Sequence, residues 1–179
     1  MRRFRQQYLV LGFIQALIGF VWLKAAWEKL SDASYANGMS HMLAAFASKN
    51  PFGWYSGILH NLAIPNATTF AVLVEYGELL AGLGVFVVAF TFVVRLPQIW
   101  QQIADIAGVV ALVGAAFLSA NFWFAAGWMS SSTDGENMVL FFTELALAVG
   151  TLAGLLQVTR RAHQPQAVAL KTNTAGGPA

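Results

Sequence analysis

Residues 106–129, IAGVVALVGAAFLSANFWFAAGWM, run for 24 residues without one Asp, Glu, Lys or Arg. A helix rising about 1.5 Å per residue needs roughly 20 mostly apolar residues to cross a hydrocarbon core of about 30 Å. This stretch is long enough, and three others match it. Residues 8–30 are free of charge from Tyr8 to Leu23, residues 67–94 carry only Glu75 and Glu78, and residues 138–159 carry only Glu144. With the flanking turn, the third span is read as 104–129. The sequence therefore predicts an all-α membrane protein, a single four-transmembrane-helix bundle over residues 1–160.

The whole chain agrees with that reading. Of 179 residues, 58% are hydrophobic and 10% charged, against about 25% charged in an average soluble domain; the mean hydropathy is +0.61. Disorder and a nucleic-acid surface are both excluded by this composition, so the lipid bilayer is the expected partner and nucleic acid is not. The net charge of +2 finds its use in orientation. Arg2, Arg3, Arg5, Arg95, Arg160, Arg161 and Lys171 fall on one side of a four-pass chain, and Lys49 is the lone basic residue in the opposite loops. The positive-inside rule then predicts a multi-pass protein of the plasma membrane with both termini cytoplasmic. The stretch Leu23-Lys24-Ala25-Ala26-Trp27 lacks a small-x-small cleavage site, so the first span reads as a retained anchor. Residues 161–179, rich in Pro, Gln, Thr and Gly, read as a disordered cytoplasmic tail.

Residues 31–66 are too long for a turn and are interrupted by Asn50-Pro51 and Ile64-Pro65. They predict an extracytoplasmic amphipathic segment between the first two spans. Met39, Met42, Leu43 and Phe46 follow helical spacing, as do Trp54, Ile58, Leu59 and Leu62 after the break. Small residues recur every four positions at Gly77 and Ala81, at Ala107, Ala111, Ala115 and Ser119, and at Ala146, Gly150 and Gly154; such stripes let helix backbones approach closely in lipid.

Charges inside a span cost roughly 2.5–3.5 kcal/mol each on insertion scales, so each one needs a reason. Counted inward from the outer ends, Glu75 and Glu78 lie roughly 12–17 Å along the second span and Glu144 roughly 10 Å along the fourth, with Lys29 near the mouth and Lys24 about 8 Å below it. Asn121 and Trp123 on the third span fall at similar depth. These levels predict one polar pocket opening outward. Lys24 has a simple partner in Glu28 at i, i+4, and Asp105 sits near the cytoplasmic end, where it is solvated. Carboxylates held in lipid must be paired or protonated, and both conditions suit proton transfer.

Zero cysteines remove a disulfide framework, a CxxC redox pair and thiolate-ligated clusters. His41, His60 and His163 all lie outside the spans, so no membrane haem is expected, and His41 with His60 make too weak a set for a metal. No intrinsic cofactor and no metal site is expected.

Trp27-Glu28-Lys29-Leu30 closing the first span, Asn50-Pro51-Phe52-Gly53-Trp54-Tyr55 in the outer segment, and Val74-Glu75-Tyr76-Gly77-Glu78-Leu79-Leu80-Ala81-Gly82-Leu83-Gly84 on the second span together resemble the DoxX/DoxD family of four-helix membrane proteins. The likeness covers roughly residues 8–158, with Asn121 and Asn137 as polar landmarks in the later spans. The family includes a subunit of an archaeal thiosulfate:quinone oxidoreductase. What the resemblance implies is an integral membrane oxidoreductase subunit that passes electrons from a reduced sulfur compound to membrane quinone, bound as a substrate.

In that scheme Lys29, Glu75 and Glu78 are the catalytic candidates. Lys29 would attract an anion or donate to a quinone carbonyl, and the glutamates would exchange the accompanying protons. Asn121 and Trp123 would bind the quinone ring, with Glu144 as a proton relay behind them. Two other classes compete. The competing reading is a non-catalytic accessory subunit that stabilises a larger respiratory or redox complex with other protein subunits, and a third is a small-molecule or proton carrier.

Overall fold

A computed structural model describes the backbone of residues 2–94 and 96–174 and the side chains of residues 9–94 and 96–157. Its regular elements are all helical: α1 (Arg2–Leu30), α2 (Tyr35–Ser48), α3 (Gly53–Ile58), α4 (Ala67–Thr91), α5 (Gln98–Ala126) and α6 (Ser131–Thr174). Among the described residues four stretches are long and apolar enough to cross a membrane, Leu9–Leu30, Gly53–Thr91, Gln98–Met129 and Ser131–Gln157. They fit a multi-pass membrane protein. Large apolar side chains such as Phe13, Leu80, Val110 and Phe117 point outward, each at least 65% exposed. Small and polar groups fill the interior, the arrangement expected where lipid is the solvent.

Helix α1 packs on α4, α4 on α5, and α5 on α6, whereas α1 and α6 meet only sparingly among the described residues. Glycine sets the first of these crossings. A Cβ at Gly82 would lie 2.8 Å from the backbone nitrogen of Leu23, and one at Gly19 would lie 3.0 Å from that of Phe86, so the two backbones touch where no larger residue fits. Between α4 and α5 the corresponding close approaches are Gly84 on Ala111 and Gly108 on Val88. The centre is filled by Val85, Leu112, Leu147 and Ala148. The small-residue stripe of the fourth span differs from expectation: a Cβ at Gly150 or Gly154 would meet nothing within 4 Å, and Ala146 and Gly150 face outward.

One end of the bundle is capped by α2 and α3. After α1, Asp32 Oδ1 accepts the Ser34 backbone N–H at 2.9 Å and the Ser34 hydroxyl at 2.6 Å. These bonds shape the turn into α2 and hold the Asp32 carboxyl below its usual range. The break at Asn50-Pro51 is real: Asn50 Oδ1 accepts the Phe52 N–H at 2.9 Å while its amide donates to the Phe124 carbonyl at 2.9 Å.

Ile64-Pro65 does not break the chain. Residues 53–91 form one helical run, because a π-turn at Leu59–Ala63, where the Ile64 N–H reaches back to the Leu59 carbonyl, opens the helix before a 3₁₀ turn at Ile64–Asn66. The wider turn accommodates a proline ring that an α-helical turn would exclude. The expected amphipathic face splits accordingly. Met39, Leu43, Tyr55, Leu59 and Ala63 are buried against Ala67, Ala71 and Ala125, while Trp54, Ile58 and Leu62 point out.

At the other end of the chain, the backbone of α6 continues to Thr174, through part of the stretch that reads as an unstructured tail. Residues 175–179 lie outside those described.

Candidate functional site

Lys29, in the last turn of α1, points across to α4, and its Nζ donates to Glu78 Oε2 at 2.8 Å. The lysine side chain is 24% exposed and the glutamate 1%. A carboxylate this deep is tolerable because a cation faces it; either partner alone would leave a buried charge. Tyr35, at the start of α2, covers the pair with its ring centroid 5.9 Å from the ammonium. Burial, reinforced by the negative fields of Glu78 and Glu75, pushes the Tyr35 phenol well above its ordinary range, so it stays a hydrogen-bond donor. Glu75 lies one turn before Glu78 and is half-buried. Lys29, Glu78, Glu75 and Tyr35 thus form one polar cluster, open along the lysine.

Glu144 belongs to a second cluster in the interior. Its Oε1 accepts the Trp22 indole N–H at 2.6 Å and its Oε2 the Ser119 hydroxyl at 2.8 Å. All three side chains are buried, Glu144 and Ser119 completely. No cation reaches this carboxyl among the described residues. Three helices contribute one group each, so the cluster ties α1, α5 and α6 together.

Asn121 and Trp123 lie in neither cluster. The Tyr55 hydroxyl donates towards Asn121 Oδ1 at 3.2 Å and the Asn121 carbonyl at 3.1 Å, and the Asn121 amide donates to the Phe117 carbonyl at 2.7 Å. The Trp123 indole N–H donates to Asp134 Oδ1 at 2.6 Å, and its ring stacks on Phe124 at 5.6 Å between centroids. Phe124 also meets Phe52, Trp54 and Tyr55. This aromatic group fastens α3 to the end of α5. The six candidate residues are therefore distributed over three places rather than one: Lys29, Glu75 and Glu78 come together, and Glu144, Asn121 and Trp123 each find their polar partners elsewhere. Lys24 pairs with Glu28 along α1 on the outward face.

A cleft of about 420 Å³ lies between α4 and α5, lined by apolar residues that include Gly77, Gly84, Ala107, Gly114 and Phe117. None of the six candidates lines it. Among the described residues no group of three or more His, Cys, Asp or Glu side chains converges.

Polar residues that the depth count passed over turn out to bind the spans. Gln15 Nε2 on α1 donates to Thr151 Oγ1 on α6 at 3.1 Å, and the residue is 1% exposed. The signal was present: Gln15, Trp22 and Lys29 are seven residues apart and share one face of α1, as Glu144 and Thr151 do on α6.

No protein-family profile, curated protein sequence or solved structure matches this chain.

Proposed function

We propose that the chain is a membrane subunit of a quinone-linked redox system of the DoxX/DoxD type. In this reading electrons pass from a reduced sulfur compound to quinone in the plasma membrane, with both chain termini in the cytoplasm and α2 and α3 on the outer side. The observation that carries the proposal is the Lys29–Glu78 pair with Glu75 and Tyr35 around it: a cation that can draw in an anion or a quinone carbonyl sits beside carboxyls that can deliver protons. Reduction of a quinone consumes two electrons and two protons. Glu75 and the Lys29–Glu78 pair exchange protons there, the ionised pair giving up the proton its ammonium holds and regaining one through Glu78, while Asn121 and Glu144 stay bonded within the chain outside this cluster. A chain without cysteine holds no thiol redox centre, so the electrons come from a bound donor or a second subunit.

The accessory role keeps a specific support of its own. Glu144, Asn121 and Trp123 are satisfied by groups of the chain itself, and the stripe through Ala146 and Gly150 faces outward without a partner helix among the described residues. Gentle purification in detergent separates the readings. The redox proposal expects sulfur-dependent quinone reduction by the purified assembly; an assembly whose activity persists after this chain is removed leaves it only an accessory role.

A further inference from the structure

The cleft between α4 and α5 exists because small residues line its floor. Gly77 and Gly84 on α4 share one face, as Ala107 and Gly114 do on α5. Gly84 touches Ala111 and closes the back, whereas a Cβ at Gly114 would meet nothing within 4 Å. The rim is formed by Leu80, Val110 and Phe117, which are 66–68% exposed. The space of about 420 Å³ offers water no polar side chain, so hydrocarbon is the filling it suits.

Its length and its ends are also informative. Along α5 the lining runs from Ala107 to Leu118, a rise of about 16.5 Å, against about 15 Å for one leaflet of a 30 Å hydrocarbon core. At the end capped by α2 and α3 the apolar lining stops and polar residues begin. Gly77 adjoins Glu78, the partner of Lys29, and Asn121 continues the line of Ala107 and Gly114 one turn beyond Leu118. An Asn amide carries two N–H groups, and Asn121 donates to the Phe117 carbonyl at 2.7 Å, so its second N–H can serve a ligand.

We infer that this cleft is a binding site for one acyl chain of a bilayer phospholipid, taken from the leaflet on the α2 side, with an ester carbonyl of that lipid accepting a hydrogen bond from the Asn121 amide. The lining suits hydrocarbon, the length suits the chain of a single leaflet, and the polar end sets which leaflet supplies it. A chain lying against Gly114 touches both helices at once, and these added dispersion contacts hold it longer than a neighbouring lipid. A partner helix, about 10 Å wide with its side chains, is too broad to enter between helices that touch at Gly84 and Ala111. The inference goes beyond the redox reading and does not depend on it.

The test is native mass spectrometry of the full chain, reconstituted in dioleoylphosphatidylcholine bilayers and released in mild detergent. Wild type is expected to keep one phospholipid more than Gly114→Phe, whose ring fills the cleft and lowers retention at that site at least about tenfold. Gly150→Phe adds the same ring to a face without a cleft and should retain lipid like wild type, while Asn121→Leu should retain less. Ala107→Phe, at the far end of the lining, carries the test if Gly114→Phe does not fold. Equal retention in wild type and the cleft-filling variants overturns the site. So does a dimer that Gly114→Phe abolishes, which would assign the cleft to a second copy of the chain.

Discussion

The indole N–H of Trp22 on the first span donates to Glu144 on the last across 2.6 Å, with both side chains buried. Few other contacts join these two helices among the described residues, so the bond does much to close the bundle. A hydrogen bond between membrane helices is worth about 0.6 kcal/mol on average in double-mutant cycles and at most about 1.7. Trp22→Phe should therefore destabilise the protein, and Trp22→Phe with Glu144→Leu should cost less than the two single changes added together, by about 0.6–1.7 kcal/mol. Thermal unfolding of the four proteins in one detergent measures that coupling.

Lys29 and Glu78 predict a larger asymmetry. Replacing Lys29 by Met leaves a carboxylate that is 1% exposed without its cation. The expected cost is about 3 kcal/mol, the low end for a broken buried pair because the lysine keeps some contact with solvent. Lys29→Met combined with Glu78→Gln should recover most of the loss. Equal stability of Lys29→Met and wild type would show that the pair carries little energy.

Two glycines inside the spans, Gly82 and Gly150, should behave in opposite ways. Gly82→Ala places a methyl 2.8 Å from the Leu23 backbone and should cost about 1–3 kcal/mol through overpacking. Gly150→Ala meets nothing within 4 Å and should be neutral or gain up to about 1 kcal/mol from helix propensity. Unfolding midpoints in mild detergent distinguish them. A large loss at Gly150 would instead reveal a partner helix on that face.

Because the chain has no cysteine, single cysteines report its orientation without background. Ser34→Cys and Ser132→Cys should react with a membrane-impermeant maleimide applied to intact cells, and Gln98→Cys only after permeabilisation. The reverse pattern would overturn the assignment of the termini to the cytoplasm.

The spans were legible because charge-free length is a one-dimensional property, and residues 106–129 state it plainly. The site was legible only in part, since counting residues gives depth but not direction around the axis. Glu75 and Glu78 are three residues apart, about 60° around the helix, and that rotation separates a half-buried carboxyl from a fully buried one. Asn121 and Trp123, two apart, point to nearly opposite sides, towards Tyr55 and Asp134. Pro65 misled for a related reason: a proline reads as a break, yet one π-turn at Leu59–Ala63 carries the helix past it.

Quinone reduction by membranes containing equal amounts of correctly inserted wild type, Glu75→Gln and Glu78→Gln protein, with a reduced sulfur compound as donor, bears most directly on the proposed role. If these carboxyls deliver the protons of quinone reduction, wild type is active and each variant falls at least about tenfold, in keeping with the 10²–10⁴-fold contribution of general acid–base groups. Full activity retained in both variants would contradict a proton-delivering role for the Lys29–Glu78 cluster.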